Sequence, residues 1–482
     1  MRQAAAVLLL LAALPARAQD AAPPPPPAPA VRGPAPEDPA EKRERRERLA
    51  RLAGPDAAVL VLSAEDSPGF TGSTQNTDFA YLCPYEARGA AILLAAGPGD
   101  TPAVSDRLYV RPRSPVGELW TGTVACPGAE TAAAGRFDAA LAPNGLAADL
   151  AEILRERRTL WISPGGPADG PARLAPLVAA LRAKMQGTWV RLASLPGATP
   201  EDAAESVRRA LPERLPESRS AAEVLAGLRA VDLRPAARML SEMREVKSAP
   251  EIARIRIACE ATVAGMRDAL AAARPGTLEM GVAALVEVRC RLAGCARQAY
   301  PSIVGSGPNS CVLHYAANTR TMQAGELVVM DIGGEYRGYA SDVTRTFPVG
   351  GKFTEEQARV YDAVLEAQLA GIAAVRPGAT LRQVHQAAAE VLKRHGLAQY
   401  FPHGTSHSVG LDVHDPYRAD EPLRAGCVIT VEPGVYMTKE SLGVRIEDTV
   451  LVTQSGCEVL SGALAKTREE IEQAMDAARA PR

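Results

Sequence analysis

The spacing of apolar residues changes near residue 235, and it separates the chain into two halves. Before that point, short apolar runs bounded by proline, glycine and aspartate predict strands at 57–62, 79–82, 90–96, 108–110 and 160–162. Helical spacing of apolar and charged residues predicts helices at 41–52, 146–157 and 172–185. The first half is therefore predicted to be a mixed-sheet α/β domain.

The second half repeats one order of elements, a pair of long helices followed by strands. Helices are predicted at 250–273, 278–292, 354–375 and 381–394. Strands are predicted at 312–314, 327–332, 343–347, 428–432 and 444–452. This order predicts a duplicated α+β unit whose two copies face each other.

Acidic residues recur at matching distances within the two copies. Arg274-Pro275-Gly276 opens one helix and Arg376-Pro377-Gly378 opens another, because proline and glycine end the preceding helix. Two carboxylates follow each of these motifs at similar offsets: Asp331 and Asp342 in the first copy, Glu432 and Glu447 in the second. The shared offsets make a chance match improbable, and they predict four carboxylates around one axis.

Length and charge limit the possible classes of protein. A chain of 482 residues exceeds one ordinary core, so we expect two domains, at 41–235 and 236–475. The chain is 47% apolar with a formal net charge of −2, and it has no basic stripe with interleaved aromatic residues. This balance argues against nucleic-acid binding.

The N-terminal residues have the pattern of a signal peptide. Arg2 precedes an apolar run at 7–14, and Ala16-Arg17-Ala18 is a small-residue cleavage site, which predicts a signal peptide at 1–18. A membrane anchor is the alternative, but the run is short for a bilayer. Residues 19–40 are expected to be a proline-rich linker. We expect a soluble exported protein in a bacterial periplasm or outside the cell.

The eight cysteines permit disulfides in an exported protein. Cys83 with Cys126 is the first pair to consider, because it is the pair inside the first domain. Buried free thiols are the alternative interpretation.

Four carboxylates and one imidazole form the candidate chemical site. Asp331 ends an apolar run and Asp342 opens the next, with a glycine-rich turn between them, which predicts a hairpin with both side chains on one face. His407, Glu432 and Glu447 are the other candidates. Four buried carboxylates would repel and take up protons unless cations balanced them. Two divalent ions would do so, and oxygen-rich ligation favours Mn²⁺, with Zn²⁺, Co²⁺ or Fe²⁺ possible.

Other basic residues flank these candidates. His314 and His414 could donate hydrogen bonds to a substrate carbonyl or to the oxyanion that develops from it. Arg445 lies two residues before Glu447, on the same predicted strand face, and could hold that carboxylate or a substrate group. His385 and His395, in a predicted helix and just after it, are expected to be structural.

The motifs around these residues resemble the proline-specific branch of the pita-bread metallopeptidases, the Xaa-Pro aminopeptidases and prolidases. The likeness is dense over residues 300–450 and is carried by Ile303-Val304-Gly305-Ser306-Gly307, Gly338-Tyr339-Ala340-Ser341-Asp342-Val343-Thr344-Arg345-Thr346-Phe347, His403-Gly404, Ser406-His407, Gly410-Leu411-Asp412-Val413-His414-Asp415, Thr430-Val431-Glu432-Pro433-Gly434 and Gly443-Val444-Arg445-Ile446-Glu447-Asp448. The first half resembles the N-terminal domain of that family at 75–82 and 118–122. Cys83-Pro84 stands where the family more often has Thr-Gly.

The resemblance implies a role for each matching residue. The metal ligands would be Asp331, Asp342, His407, Glu432 and Glu447, with Asp342 and Glu447 bridging two ions. Glu432 would also carry a proton from the attacking water to the leaving nitrogen.

The resemblance also implies a substrate-binding set and an assembly. His314 and His414 match the histidines that bind substrate and stabilise the oxyanion, and His403 and Arg445 match positions near the proline site. The complete ligand set argues against a metal-free, creatinase-like relative, and the extra N-terminal domain argues against a methionine aminopeptidase. A homodimer or homotetramer is implied.

The expected function is a dinuclear-metal aminopeptidase that releases the N-terminal residue from peptides with proline second, through a hydroxide held between two metals. A prolidase, which cleaves Xaa-Pro dipeptides with the same centre, is the main alternative. A non-catalytic peptide-binding relative is the alternative from another class of function.

Overall fold

The structure is a computed structural model that describes residues 38–63, 76–87, 89–99, 102–122, 124–154, 156–163 and 232–477. The described residues all belong to one compact unit. The signal peptide, almost all of the linker and the helix predicted at 172–185 lie outside the described residues. The domain boundaries given above therefore stay predictions.

A six-stranded mixed sheet forms the first half of the described chain. Its strands are β1 (Ala57–Leu62), β2 (Ala91–Ala96), β3 (Val104–Tyr109), β4 (Ala139–Leu141), β5 (Thr159–Ser163) and β6 (Asp232–Pro235). The strands lie side by side in the order β4-β3-β2-β1-β5-β6. β2 is antiparallel to β1 and β3, whereas the remaining neighbours are parallel. The strands predicted near 57, 90, 108 and 160 are thus present.

Helices surround this sheet. They are α1 (Pro39–Ala53), α2 (Thr77–Leu82), α3 (Pro115–Thr121), α4 (Ala129–Gly135) and α5 (Leu146–Leu154). The strand predicted at 79–82 was wrong, because these residues belong to α2. Asn76 caps that helix by accepting a hydrogen bond from the backbone N–H of Phe79. The buried aromatic residues of α2 gave the sequence a strand-like apolar run.

The second half consists of helix pairs and small antiparallel sheets. Its helices are α6 (Ala237–Glu245), α7 (Ala249–Ala272), α8 (Glu279–Leu292), α9 (Glu355–Ala374), α10 (Leu381–Arg394) and α11 (Arg468–Ala477). Its strands are β7 (Arg297–Gln298), β8 (Ile303–Ser306), β9 (Leu327–Asp331), β10 (Gly334–Tyr336), β11 (Tyr339–Ala340), β12 (Thr344–Pro348), β13 (Val428–Val431), β14 (Gly434–Met437), β15 (Leu442–Arg445), β16 (Asp448–Val452) and β17 (Cys457–Val459).

The duplication predicted from sequence is visible in this order. The pair α7–α8 precedes the sheet β12-β9-β8, and the pair α9–α10 precedes the sheet β13-β16-β17. In the first sheet, β9 leads to Asp331 and is antiparallel to β12, which follows Asp342. In the second sheet, β13 leads to Glu432 and is antiparallel to β16, which follows Glu447. One hydrophobic core contains residues from both copies, including the helices of both pairs, the sheet β12-β9-β8 and the hairpin β14–β15.

Two local predictions in this half differ from the structure. β9 and β12 are antiparallel partners, but the segment between them forms a second small hairpin, β10–β11, in place of a simple turn. The strand predicted at 312–314 was wrong, because a 3-10 turn at Gly307–Cys311 precedes these residues and they turn away from the sheet. β8 takes that position beside β9.

None of the described helices combines the length and the apolar character that crossing a bilayer would need.

Candidate metal centre

The four candidate carboxylates occupy equivalent places in the two copies. Asp331 is the last residue of β9, and Glu432 directly follows β13. Asp342 lies two residues before β12, and Glu447 lies one residue before β16. Because those strands are paired in register, the end of one strand and the start of its partner meet at the same edge of each sheet.

His407 joins the two acidic pairs. Its Nε2 lies 3.4 Å from Oδ2 of Asp342 and 3.3 Å from Oε1 of Glu432. One ligand atom each from Asp342, His407 and Glu447 lie within 4.8 Å of one another. The Nδ1 of His407 faces the carbonyl oxygen of Ser408 at 3.2 Å, and a carbonyl can only accept, so Nδ1 carries the proton. The lone pair of Nε2 therefore points at the carboxylates, which is the orientation of a metal ligand.

Hydroxyl groups that the sequence analysis did not single out hold these carboxylates in place. The hydroxyl of Tyr300 lies 2.5 Å from Oδ1 of both Asp331 and Asp342. Thr344 donates to Oε2 of Glu447 at 2.7 Å, and Thr430 donates to Oε1 of Glu432 at 3.2 Å. Hydroxyl residues are frequent throughout the chain, so their spacing alone gives no signal. The available clue was that Thr344 and Thr430 each lie two residues from a predicted ligand, Asp342 and Glu432 respectively.

Burial and mutual repulsion shape the electrostatics of this site. Asp331, Asp342 and Glu447 are buried. Burial, together with the neighbouring carboxylates, holds the pKa of Asp342 and of Glu447 well above the usual range. Burial, followed by repulsion from Glu447, raises the pKa of Glu432 to about 8. Without cations these groups would bind protons at neutral pH, so the donor set fits divalent cations.

Arg445 lies in the site but does not hold Glu447. Its Nη2 donates to Oδ2 of Asp331 at 2.6 Å, and its Nη1 donates to the hydroxyl of Tyr436 at 2.9 Å. The predicted shared strand face with Glu447 was wrong, because β15 ends at Arg445 and Glu447 lies in the turn before β16. The guanidinium is buried, so its charge acts on the carboxylates through a poorly solvated region.

Three further histidines surround the cluster. The ring of His414 packs edge-on against that of His407, with centroids 4.1 Å apart, and its outer side is exposed. His403 Nε2 lies 2.9 Å from the hydroxyl of Tyr436, and burial lowers the pKa of His403 to about 4. His314 lies in an exposed turn, close enough to influence the charge of both His403 and His414. All three imidazoles present polar groups beside the carboxylates.

The two remaining histidines have structural partners. His385 in α10 bonds to the hydroxyl of Thr405 at 2.9 Å, and His395 bonds to Glu366 at 2.7 Å. Neither contact involves the candidate ligands.

A buried ion-pair network connects the first half of the chain with the loop that carries His414. Arg244, at the end of α6, donates to Asp78 of α2 at 2.9 Å and to Asp412 and Asp415 at 2.6 Å each. Lys247 donates to the other oxygen of Asp415 at 3.2 Å. His414 lies between the two loop aspartates in the sequence, so its position depends on Arg244, which also pairs with Asp78 of the first half. The acidic motif at 412–415 was visible in the sequence, but nothing there indicated its partner.

This fold and site define the class of pita-bread metallohydrolases with an additional N-terminal domain. The family model for metallopeptidase family M24 matches residues 253–454, and the model for the aminopeptidase P N-terminal domain matches residues 42–161. The mouse protein named Xaa-Pro aminopeptidase 3 is 31% identical over 456 residues, which is 87% of this chain and 81% of the mouse protein. The chain belongs to metallopeptidase family M24.

Other relatives match about half of the chain. The Escherichia coli K12 protein named Xaa-Pro aminopeptidase is 38% identical over 279 residues, and the match spans 52% of this chain and 63% of that protein. The Pyrococcus furiosus protein named Xaa-Pro dipeptidase is 38% identical over 237 residues, 48% of this chain and 66% of its own length. A solved structure of E. coli aminopeptidase P with the inhibitor Pro-Leu superposes with a TM-score of 0.75 at 29% identity, covering 93% of this chain and all of that one. The predicted fold, an N-terminal domain followed by a pita-bread domain, is confirmed.

Proposed function

We propose that this protein is a metalloaminopeptidase that releases the N-terminal residue from peptides whose second residue is proline. The observation that carries the proposal is the grouping of Asp342, Glu432 and Glu447 beside the imidazole of His407. Asp331 joins this group through the hydroxyl of Tyr300, which also contacts Asp342. Together with His407, these four carboxylates would hold two divalent cations. Bound cations of this kind make water a nucleophile near neutral pH and polarise a carbonyl.

Glu432 is the residue that fits general-base and general-acid catalysis. Its carboxylate lies 3.3 Å from His407 Nε2, and its raised pKa of about 8 is close to the working range of a proton carrier. We assign it the transfer of a proton from the attacking water to the nitrogen of the leaving proline. Thr430, which donates to Oε1, fixes the orientation of the group.

The exposed imidazoles are placed to handle the substrate. His414 and His314 would donate hydrogen bonds to the carbonyl oxygen as negative charge develops on it. His403 contributes a neutral ring, because its lowered pKa keeps it uncharged at pH 7. A neutral ring that packs edge-on against Phe401 at 5.0 Å suits the apolar ring of proline.

Prolidase activity is the second candidate, because a relative named Xaa-Pro dipeptidase shares the catalytic half. The two activities differ in whether chain beyond the proline is accommodated. The N-terminal aminopeptidase P domain in this chain and the whole-chain likeness to Xaa-Pro aminopeptidase 3 support the aminopeptidase. A prolidase would release product from Xaa-Pro but not from Xaa-Pro-Yaa.

The deciding experiment compares matched peptides on one preparation. Protein stripped with chelator and then loaded with Mn²⁺ is given Ala-Pro, Ala-Pro-Ala and the control Ala-Ala-Ala. We expect the protein to release alanine from Ala-Pro-Ala faster than from Ala-Pro, or from Ala-Pro-Ala only. We expect no release from Ala-Ala-Ala. Preference for the dipeptide establishes the prolidase instead. No turnover of either proline peptide by metal-loaded protein would leave only a peptide-binding role.

Three further parts of the proposal have their own measurements. We propose Mn²⁺ as the native metal, since the ligand set is rich in carboxylate oxygens, with Zn²⁺, Co²⁺ and Fe²⁺ as competitors for metal analysis of protein from its own host. We propose a homodimer or homotetramer, which light scattering measures. We propose export after cleavage following Ala18, which N-terminal sequencing of the mature protein tests.

A further inference from the structure

The C-terminal cap of α8 brings two cysteines together. Gly294 adopts a positive φ of 94°, a conformation that favours glycine, and its N–H bonds to the carbonyl of Arg291 at 3.0 Å. The N–H of Cys295 bonds back to the carbonyl of Cys290 at 2.9 Å. This pair of bonds is the Schellman arrangement, which places the side chains at its two ends against each other.

The side chains at those two ends are both buried thiols. Cys290 is 1% exposed and Cys295 is 3% exposed. The neighbouring thiol is the strongest influence on the pKa of each cysteine, and it lowers the pKa of Cys290 and raises the pKa of Cys295. Both Sγ atoms lie 3.0 Å from the point where a side chain at Gly334 would begin. Because Gly334 has no side chain, the two sulfur atoms border one small space.

We propose that Cys290 and Cys295 form a disulfide that closes the cap of α8 beneath β10. All eight cysteines are free thiols in the structure, so the bond is an addition to the described state. The reaction forms one sulfur–sulfur bond between the two residues and breaks their two S–H bonds. The sulfur–sulfur bond of a small-molecule disulfide such as oxidised glutathione breaks in exchange, and this oxidant takes up the two protons and two electrons to become two thiols.

The position of the pair gives the bond a consequence for the site. The segment after Cys295 is hydrogen-bonded to the hairpin that follows Asp331, through Ala296 N to Glu335 O at 2.9 Å and Ala299 N to Gly333 O at 2.8 Å. The bond would therefore anchor the backbone beside a candidate metal ligand. The loop that it closes is short, so its stabilisation is modest, and we expect the melting temperature to rise by about 3 °C. The inference does not rest on the proposed peptidase activity.

Peptide mapping of the wild-type chain tests the proposal without any mutation. The full protein is incubated with oxidised or reduced glutathione until its thiol count is constant, then denatured in acid and alkylated. Trypsin cuts after Arg289, Arg291 and Arg297, so it separates the two cysteines onto different short peptides. We expect the peptides Cys290-Arg291 and 292–297 to be joined after oxidation and separated by reductant. Their absence as a joined pair after oxidation overturns the proposal.

Thiol counts in variants provide the matched control. The oxidised wild type should show six alkylated cysteines of its eight, whereas Cys295→Ser should show seven under both oxidising and reducing conditions. Cys457→Ser changes a half-buried thiol in β17 and should still lose two alkylated cysteines on oxidation. If Cys295→Ser also lost two, or if the wild type kept eight, another pair or no pair would be responsible. The 3 °C difference in melting temperature should be absent from Cys295→Ser.

Discussion

Arg445 donates a hydrogen bond from Nη2 to Oδ2 of Asp331 across 2.6 Å, and the two residues come from different copies of the duplicated unit. The guanidinium continues to Tyr436, whose hydroxyl contacts His403 at 2.9 Å. His403 Nδ1 faces the carbonyl of Gly404, so its Nε2 accepts and the tyrosine donates. One chain of hydrogen bonds thus runs from a candidate metal ligand to a candidate substrate residue.

Replacing Arg445 by lysine should weaken metal binding and turnover together. Lysine keeps the charge but cannot reach Asp331 and Tyr436 at once, because it lacks the planar fork of the guanidinium. We expect the affinity for Mn²⁺ to fall by about 10-fold to 100-fold, as for other residues that orient metal ligands. Titration calorimetry on chelator-treated protein measures the affinity for Mn²⁺. Arg424→Lys, which changes an exposed arginine that pairs with the buried Glu245, is the control. Unchanged affinity in Arg445→Lys would show that the contact to Asp331 is dispensable.

Replacing Glu432 by glutamine separates binding from catalysis. The amide keeps an oxygen toward the site but cannot carry a proton, so we expect kcat on Ala-Pro-Ala to fall by about 10²- to 10⁴-fold. Mn²⁺ should still bind, which metal analysis after gel filtration checks. Glu440→Gln, at an exposed position in the turn after β14, should leave both values unchanged. Near-normal turnover in Glu432→Gln would refute the proton-transfer role.

The sequence predicted the parts of this fold that depend on local pattern. Apolar runs buried on both faces, such as 57–62 and 327–332, produced strands at the predicted places. The shared acidic offsets predicted that Asp331, Asp342, Glu432 and Glu447 would meet, and the structure brings them to one site with His407.

The parts that were missed depend on tertiary contact. In the sequence, α2 resembled a strand because its apolar residues are adjacent. The hydrogen bond that Asn76 accepts at the start of the segment stabilises a helix there. The contact between Arg445 and Asp331 could not be predicted from the alternation of side chains along a strand, because the strand ends at Arg445. Tyr300 and Arg244 reach the site from separate elements, and no spacing in the sequence links them to Asp342 or Asp415.

Arg244 is expected to be a positioning residue for the loop of His414. In Arg244→Met, three aspartates lose their shared partner, so the loop should loosen while the metal cluster stays intact. We expect KM for Ala-Pro-Ala to rise and kcat/KM to fall by about 10-fold, with Mn²⁺ content unchanged. Loss of one partner in a buried ion pair also costs about 3 kcal/mol of unfolding free energy.

A matched change on the same helix tests whether this effect is specific. Arg238→Met removes an exposed ion pair with Glu242, and it should alter neither kinetics nor stability measurably. The split between KM and metal content distinguishes positioning from general damage, because a merely unstable protein would lose activity and metal in parallel. Equal kinetics for Arg244→Met and the wild type would show that Arg244 does not set the position of His414.

Asp448 should make acid stability depend on pH in a defined window. Arg345 and Lys466 donate to its two oxygens at 2.7 and 2.8 Å, and although burial opposes the charged form, these cations lower the pKa of Asp448 to about 2. A carboxylate whose pKa is lower in the folded state stabilises that state above its unfolded pKa of about 3.9, and the gain disappears as pH falls toward 2. We expect Asp448→Asn to lower the unfolding free energy most at pH 5 and above. The pH-dependent part of that loss, about 2 kcal/mol, should vanish between pH 4 and pH 2. Urea unfolding of chelator-treated protein at each pH measures this, and a constant difference across the window would show that Asp448 does not titrate there.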